Sequence, residues 1–542
     1  MIDRILTASH SPKHRPNYWI AILLPIFFAA SQLYLRSQAG PFWQWNLLDP
    51  SYFYLLDGLN LLNGDTPGHI YHPGATVHAF NAILISLHEF ITSKQALREA
   101  LIEPERYLLF LSDAIISLNS IALILVGVIG YRAFGDWVSA LLCQSAPFAS
   151  SIILKHAFLP KPEALLVLCT IIIILLILQS WRTRYADSYV NPLGLGFGVV
   201  IGFVLATKIT AAPLFLLALF LLRRKRSIFI YLVTTFTAFA FFFIPLWGAA
   251  ENYFDWLIRV ASGVGPYGTG QKGIIELDIY LSSFIKILKR PSLNIPLFLM
   301  IFAIGLTAWH YWKGKKTAVD DLWVVMGISA VQLTQTVMVA KQPTAFYMIP
   351  SYMLANISLL FSIRIIWHTM PKLSLSAEVA RKAASLLFVT FCLAQVWSVN
   401  KLANYFHEVH SEAVKIDNDK FTHCARIYNY AASSPVFALY LADYVTGSRF
   451  SHILKRQLPE NDFWIDDWWD WLPVRLRNWD GVQNINDVIK KYPCSFMRGT
   501  SRKRISQYLR GNKKDILSGI ECSRGNETVR TISVDCFGRL DK

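Results

Sequence analysis

Charge is what this sequence has least of. Only 16% of its 542 residues are Asp, Glu, Lys or Arg, while 54% are hydrophobic, and a soluble domain carries about 25% charged residues. That shortfall excludes an ordinary cytosolic enzyme, a disordered scaffold and a small disulfide-framed domain. Acid is scarcer than base, with 36 Asp and Glu against 52 Lys and Arg and a formal charge of +16. In a soluble chain such an excess would suggest nucleic acid. In a polytopic membrane protein it is what cytoplasmic loops and anionic headgroups require, so no nucleic-acid partner is expected. Nucleotide-binding motifs are missing too: there is no Walker P-loop, and no G-x-G-x-x-G lies between a strand and a helix. No signal-peptide cleavage pattern precedes the first apolar run, so Met1 onward is expected to stay as a cytoplasmic lead.

What is present is a series of apolar runs long enough to cross about 30 Å of hydrocarbon. They fall near 18–35, 107–130, 138–155, 162–181, 228–247, 294–312, 321–340, 345–367 and 383–400. The stretch 191–222 is too long for one span and lies between Arg182/Arg184 and Arg223, Arg224, Lys225 and Arg226. If both clusters are cytoplasmic it must go out and return, as a hairpin of two short helices with Lys208 near the turn. Counting sides then places Arg4, Arg132, the two clusters, Lys313/Lys315/Lys316 and Arg381/Lys382 inside, with eleven spans, the N-terminus in and the C-terminus out. Segment 75–92 holds His78, Asn81, His88 and Glu89 and reads as an interfacial or re-entrant helix.

The expected fold is therefore an all-α polytopic membrane protein of about eleven helices, with a small C-terminal extramembrane α/β or α+β domain. Residues 1–400 form the membrane domain with a large first external loop, 36–106, and 401–542 the external domain. From about 401 apolar runs stop and charge returns. This domain holds Cys424, Cys494, Cys522 and Cys536, for which three pairings, or four free thiols, are open. It also holds the tryptophan-rich stretch Phe463-Trp464 through Trp471, with Trp479. Ordinary packing leads there, ahead of a membrane belt and a sugar-stacking platform.

Polar residues gather in the external loops. The first loop runs from Asp49-Pro50-Ser51-Tyr52 to Asn63-Gly64, then to His69 and His72-Pro73-Gly74. Asp49 and Pro50 suit an N-cap and N1, with Gly64 closing an amphipathic helix. A carboxylate fixed at the lip of a membrane cavity is also a positioned general base. On the same side fall Lys155-His156, Lys161-Pro162-Glu163, Lys208 in Ala206-Thr207-Lys208, Lys341 through Tyr347, and the glycine-rich loop 263–273 with Tyr267. External lysines run against the positive-inside bias, and together with histidines and carboxylates they suit a phosphate-bearing ligand. Asp113 is a further intramembrane carboxylate, for which pairing with a neighbouring helix is the leading reading.

These residues, with Met348-Ile349-Pro350, resemble the integral-membrane GT-C glycosyltransferases, nearest to the protein O-mannosyltransferases and the aminoarabinose-type lipid A transferases. The resemblance covers roughly residues 15 to 400. It implies a sugar donor on a polyprenyl phosphate, entering from the outer leaflet, and an inverting transfer to an acceptor hydroxyl on a lipid, glycan or protein. Asp49 matches the family's catalytic base, with Glu163 and His72 as further catalytic candidates. Lys208, Lys341, Lys155 and Tyr347 would meet the donor phosphate, and Asp57, His156 and Tyr267 the substrate. Several members carry a paired acidic motif where this chain has Asp49-Pro50-Ser51, so a divalent metal is left open and no cofactor is assigned. The resemblance points to a bacterial inner (plasma) membrane, with the C-terminal domain periplasmic or extracellular; the endoplasmic reticulum would suit the same topology. The rival reading is a lipid-linked sugar flippase or transporter, against which stands the lack of a convincing internal repeat.

Overall fold

The computed structural model describes residues 17–44, 51–71, 74–93, 95–184, 190–264, 273, 275–315, 319–370, 377–416, 418–429, 433–466, 473–499, 507–508, 520–524 and 527–532. The chain divides into two compact units. One comprises Met1–Tyr34, Ile70–Ala79 and Leu111–Leu402; the other comprises Leu35–His69, Phe80–Phe110 and Ala403–Lys542.

The first unit is helical. Among the described residues of the whole chain, six helices are long and apolar enough to cross a membrane: Ile20–Ala39, Pro104–Phe134, Pro162–Arg182, Lys225–Ser262, Pro291–Trp312 and Asp320–Val339. A seventh is added if Ala345–Met353 and Ala355–Thr369, bent by 40°, make one span. The count of eleven stays an expectation. The 138–155 run, expected as one span, forms three short pieces: Trp137–Gln144, the 3-10 turn Ala146–Ala149 and Ser151–His156. The cause is local. Pro147 sits just inside the 3-10 turn, and the Ser150 side chain caps a fresh helix by accepting from the Ile152 N–H.

The 191–222 stretch is the expected hairpin. Helix Val190–Thr207 ends at Lys208, whose backbone is extended, and a 3-10 turn Ile209–Leu214 leads into Phe215–Leu221. Leu193 near one end and Leu221 and Leu222 near the other line a single cavity, so the chain returns to where it began. A glycine row lets this hairpin pack. Gly194, Gly198 and Gly202 lie four residues apart, and a methyl on each would stand 2.6 Å from Ser227 O, Thr234 Cβ and Ala238 Cβ respectively. That spacing presents one bare stripe of the first hairpin helix to Lys225–Phe243.

The second unit is built on a seven-stranded sheet of order β4-β3-β2-β1-β5-β7-β6. The strands are β1 Ala425–Tyr428, β2 Asp462–Asp466, β3 Arg475–Asn478, β4 Gly481–Gln483, β5 Ser495–Gly499, β6 Ile520–Arg524 and β7 Glu527–Ile532. β1 pairs in parallel with β2 and β5, and the other pairings are antiparallel. Parallel neighbours need crossover helices, here Pro435–Val445 with Ser451–Gln457, and Ile485–Lys491. Ile427, Phe463, Ile465, Leu476 and Met497 form its core. Cys424 and Cys494 immediately precede the adjacent β1 and β5 and are joined in a disulfide. Trp464 is fully buried, its ring 3.6 Å from that of Tyr440, with Trp479 edge-on at 5.3 Å. Those two tryptophans are packing residues; 467–472 lie outside the described residues.

Part of the first loop clusters with the sheet. Helix Ser51–Leu62 is followed by Gly64 at φ +82°, the closing glycine anticipated from the sequence. The Asn60 amide donates to Thr446 O at 3.0 Å, and a methyl on Gly68 would come 2.4 Å from the Thr446 carbonyl carbon.

Candidate functional site

Helix Pro162–Arg182 begins with Lys161 as its cap, Pro162 at its first position and Glu163 in its first turn. Proline is preorganised there, and a carboxylate is favoured at the positive end of the helix dipole. Glu163 is thereby fixed on a rigid helix end, 1% exposed. Its carboxylate is ion-paired and hydrogen-bonded to the Lys208 ammonium, also 1% exposed. The break in the hairpin therefore delivers an ammonium group onto a helix start 45 residues earlier in the chain.

Aromatic rings close over the pair. The Lys208 Nζ lies 4.7 Å from the Tyr347 ring centroid and 5.1 Å from that of Phe346, which has Lys161 Nζ 5.9 Å away and the His156 ring at 5.0 Å. Ring faces attract cations more strongly once water is excluded. Lys161 is 2% exposed and His156 is 3% exposed. Among the described residues, the charges acting on the His156 imidazole include the Glu163 carboxylate and the amino groups of Lys161, Lys155 and Lys208. Among the described residues the site is thus a water-poor cluster of amino groups around Glu163, a donor set that suits an anion bearing several oxygens.

The neighbouring backbone is held by amide bonds. Gln335 donates to Thr210 O at 3.1 Å and to Tyr347 O at 2.8 Å, and its oxygen accepts from Ser351. It ties the turn after Lys208 to the segment carrying Tyr347. Thr207 accepts at its carbonyl from the Gly74 N–H at 3.1 Å, and its hydroxyl meets that of Thr76 at 2.7 Å.

The structure brings together Glu163, Lys208, His156 and Tyr347, with Lys155 among the charges around them. Lys341 is directed elsewhere, donating to Ala261 O at 2.8 Å. Asp57 lies in the other unit, wholly buried. Its oxygens accept from the Gly68 N–H at 2.8 Å, the His69 N–H at 3.0 Å and the Asn60 amide at 3.1 Å. Burial pushes its carboxyl up to about 7, with the three donors pulling the other way. Asp49, His72 and Tyr267 lie outside the described residues, and Asp113 sits exposed on its helix. Sequence reasoning placed Lys161 in the external set without giving it a role of its own, and missed Gln335. Gln332 and Gln335 inside one apolar run were the available signal.

Among the described residues, one group has the composition of a metal site, His423 with Cys424 and Cys494. Its sulfurs are bonded to each other, which leaves one imidazole and no thiolate for a cation.

Residues 109–340 match the family model of glycosyltransferase family 87, a GT-C-type family of membrane glycosyltransferases. The matched stretch contains His156, Lys161, Glu163, Lys208 and Gln335. Over it the chain is similar to membrane glycosyltransferases in general, without distinguishing the O-mannosyl or aminoarabinose subfamilies. No curated protein and no solved structure matches the chain.

Proposed function

We propose that the chain is a membrane glycosyltransferase that moves a sugar from a polyprenyl-phosphate donor to an acceptor hydroxyl, with inversion at the anomeric carbon. The observation that carries the reading is the pair of buried ammonium groups, Lys208 and Lys161, gathered at one carboxylate in an apolar helical unit. Buried amino groups held side by side offer an anion several charge-assisted donors out of water. A lipid-borne phosphate has the right charge and reaches the site without leaving the membrane.

In this reading the acceptor oxygen attacks the anomeric carbon as its proton passes to Asp49, the bond from that carbon to the phosphate oxygen breaks, and the lipid phosphate leaves with one more negative charge. Lys208 and Lys161 stabilise that charge, which grows in the transition state. Glu163 aims the Lys208 ammonium, and the Phe346 and Tyr347 rings exclude water from it. Preorganised donors of this kind are worth about 10²–10³ in rate each, and a positioned base about 10²–10⁴.

The test is sugar release from labelled polyprenyl-phosphate donors in proteoliposomes, comparing the wild-type chain with Asp49→Asn and Lys208→Gln. Loss of transfer in both folded variants is the expected result. Undiminished turnover in Asp49→Asn would remove it as the base. Lipid crossing between leaflets with no sugar consumed would favour a flippase.

A further inference from the structure

We propose that Gln335 is a positioning residue for the transfer, setting the place of the Lys208 ammonium beneath the Phe346 and Tyr347 rings by tying together the two turns that carry them. This role rests on the sugar transfer proposed above and assigns the control of Lys208 to a side chain outside the charged cluster.

Gln335 lies in the helix Asp320–Val339 and is wholly buried. A primary amide inside an apolar span is costly unless its hydrogen-bonding groups are matched. An amide side chain has two N–H donors and one carbonyl oxygen. Here the donors go to Thr210 O at 3.1 Å and Tyr347 O at 2.8 Å, and the oxygen accepts from the Ser351 hydroxyl.

Both carbonyls sit where regular helix is broken. Thr210 belongs to the 3-10 turn Ile209–Leu214, whose cap is Lys208, and Tyr347 to the 3-10 turn Ala345–Met348, which also carries Phe346. Hydrogen bonds within a 3-10 turn have poorer geometry than those of an α-helix, so a tie from outside matters more there. One side chain thus bridges the backbone two residues beyond the ammonium to the backbone bearing its ring wall. Across the same gap the Lys208 Nζ stands 4.7 Å and 5.1 Å from the Tyr347 and Phe346 ring centroids. Gln332, three residues earlier and on the same helix face, donates to Ser351 O at 2.9 Å. The segment 347–351 is therefore held at two levels by one helix face, and Gln335 joins the Lys208 turn to it.

The chemistry is particular to glutamine. Glutamate would set a carboxylate against two carbonyl oxygens, methionine has the length without the donors, and asparagine is one methylene shorter. In the proposed transfer Lys208 meets a charge that grows only as the bond to phosphate breaks. A misplacement of about 1 Å costs about 10²-fold in rate, and the loss falls on kcat because the interaction strengthens in the transition state.

The test uses the full chain in proteoliposomes with the labelled polyprenyl-phosphate donor that wild type consumes, reading kcat, KM and the thermal midpoint. Gln335→Met should lower kcat about 10–100-fold with KM within about threefold of wild type. Ser351→Ala removes only the hydroxyl that aims the Gln335 amide and should lower kcat about 3–10-fold; it carries the test if Gln335→Met does not fold. In a Lys208→Gln background, where the ammonium is already gone, Gln335→Met should lower kcat by no more than about twofold further. Undiminished kcat in Gln335→Met, a change confined to KM, or the same fold-loss with and without Lys208 would overturn the assignment while leaving sugar transfer itself standing. A wild-type chain that consumes no donor would overturn the function on which this role rests, and the role with it.

Discussion

The helical unit gathers buried ammonium groups where the sheet-bearing unit buries carboxylates held mainly by N–H and O–H donors. Asp57 accepts from two main-chain N–H groups, and Glu105 from the Phe42 and Trp43 N–H groups and the Tyr52 hydroxyl. Asp443 accepts from the Phe450 N–H and the Ser451 hydroxyl. Each of these carboxylates fastens a stretch of chain, and fixed donors are what make an acid tolerable inside. Lysine has no acceptor and cannot fasten a backbone N–H in that way. Lys161 and Lys208 are gathered instead at one acid and an aromatic wall. A buried acid with backbone donors reads as architecture; amino groups clustered on a buried acid under aromatic rings read as a place for a ligand.

The largest expected effect would break that distinction at its centre. Removing one member of the Glu163–Lys208 pair by Lys208→Met should cost about 3–5 kcal/mol, because a buried charge is left behind. Adding Glu163→Gln to Lys208→Met should return much of that stability in thermal unfolding while sugar transfer stays lost. Recovery of transfer in the double variant would reduce the pair to scaffolding. Next comes a packing control in the same unit. Gly202→Ala drives a methyl to within 2.8 Å of Thr235 O and 2.7 Å of Phe239 N, and overpacking of this kind costs about 1–3 kcal/mol. It should lower the midpoint with the donor affinity of the folded fraction unchanged.

On the other side of the comparison, Asp57→Ala strands three donors and should cost about 1–3 kcal/mol. Turnover per folded molecule should stay within a few-fold of wild type; a specific loss of activity would move Asp57 from architecture to substrate binding. The smallest effect is a pH dependence. The Asp57 carboxyl rises from 3.8 to about 7 on folding, so the folded state binds the proton more tightly and gains stability as pH falls. Between pH 7 and 6 the gain is about 1 kcal/mol, continues towards pH 4 and is lost as pH rises through 7. The difference in thermal midpoint between wild type and Asp57→Asn, followed across that range, isolates it.

Much of the fold was legible because its signals are local. Apolar runs located the long helices, Gly64 closed Ser51–Leu62, and two basic clusters bracketing 191–222 required a hairpin. The 138–155 run misled because hydropathy is blind to the caps and the proline that break it. The site was legible residue by residue but not as a set. Glu163, Lys208 and His156 were candidates for their chemistry, whereas Lys341 had the same credentials and is directed to Ala261 O. Asp57 was a candidate for its chemistry too, and nothing in the sequence marks its carboxylate as buried beneath the Gly68 and His69 N–H groups.

Composition and periodicity by themselves determined that the chain enters a membrane, roughly where its helices run, and that residues beyond 401 form something of another kind. These follow from transfer free energies that each segment carries with it, whatever its neighbours. The tertiary structure alone decided that Lys208 meets Glu163, that Cys424 takes Cys494 among three possible schemes, and that Gln335 joins Thr210 to Tyr347. Each is an encounter between residues distant in sequence, and its energy depends on which groups leave water together, a quantity that exists only once the chain has folded.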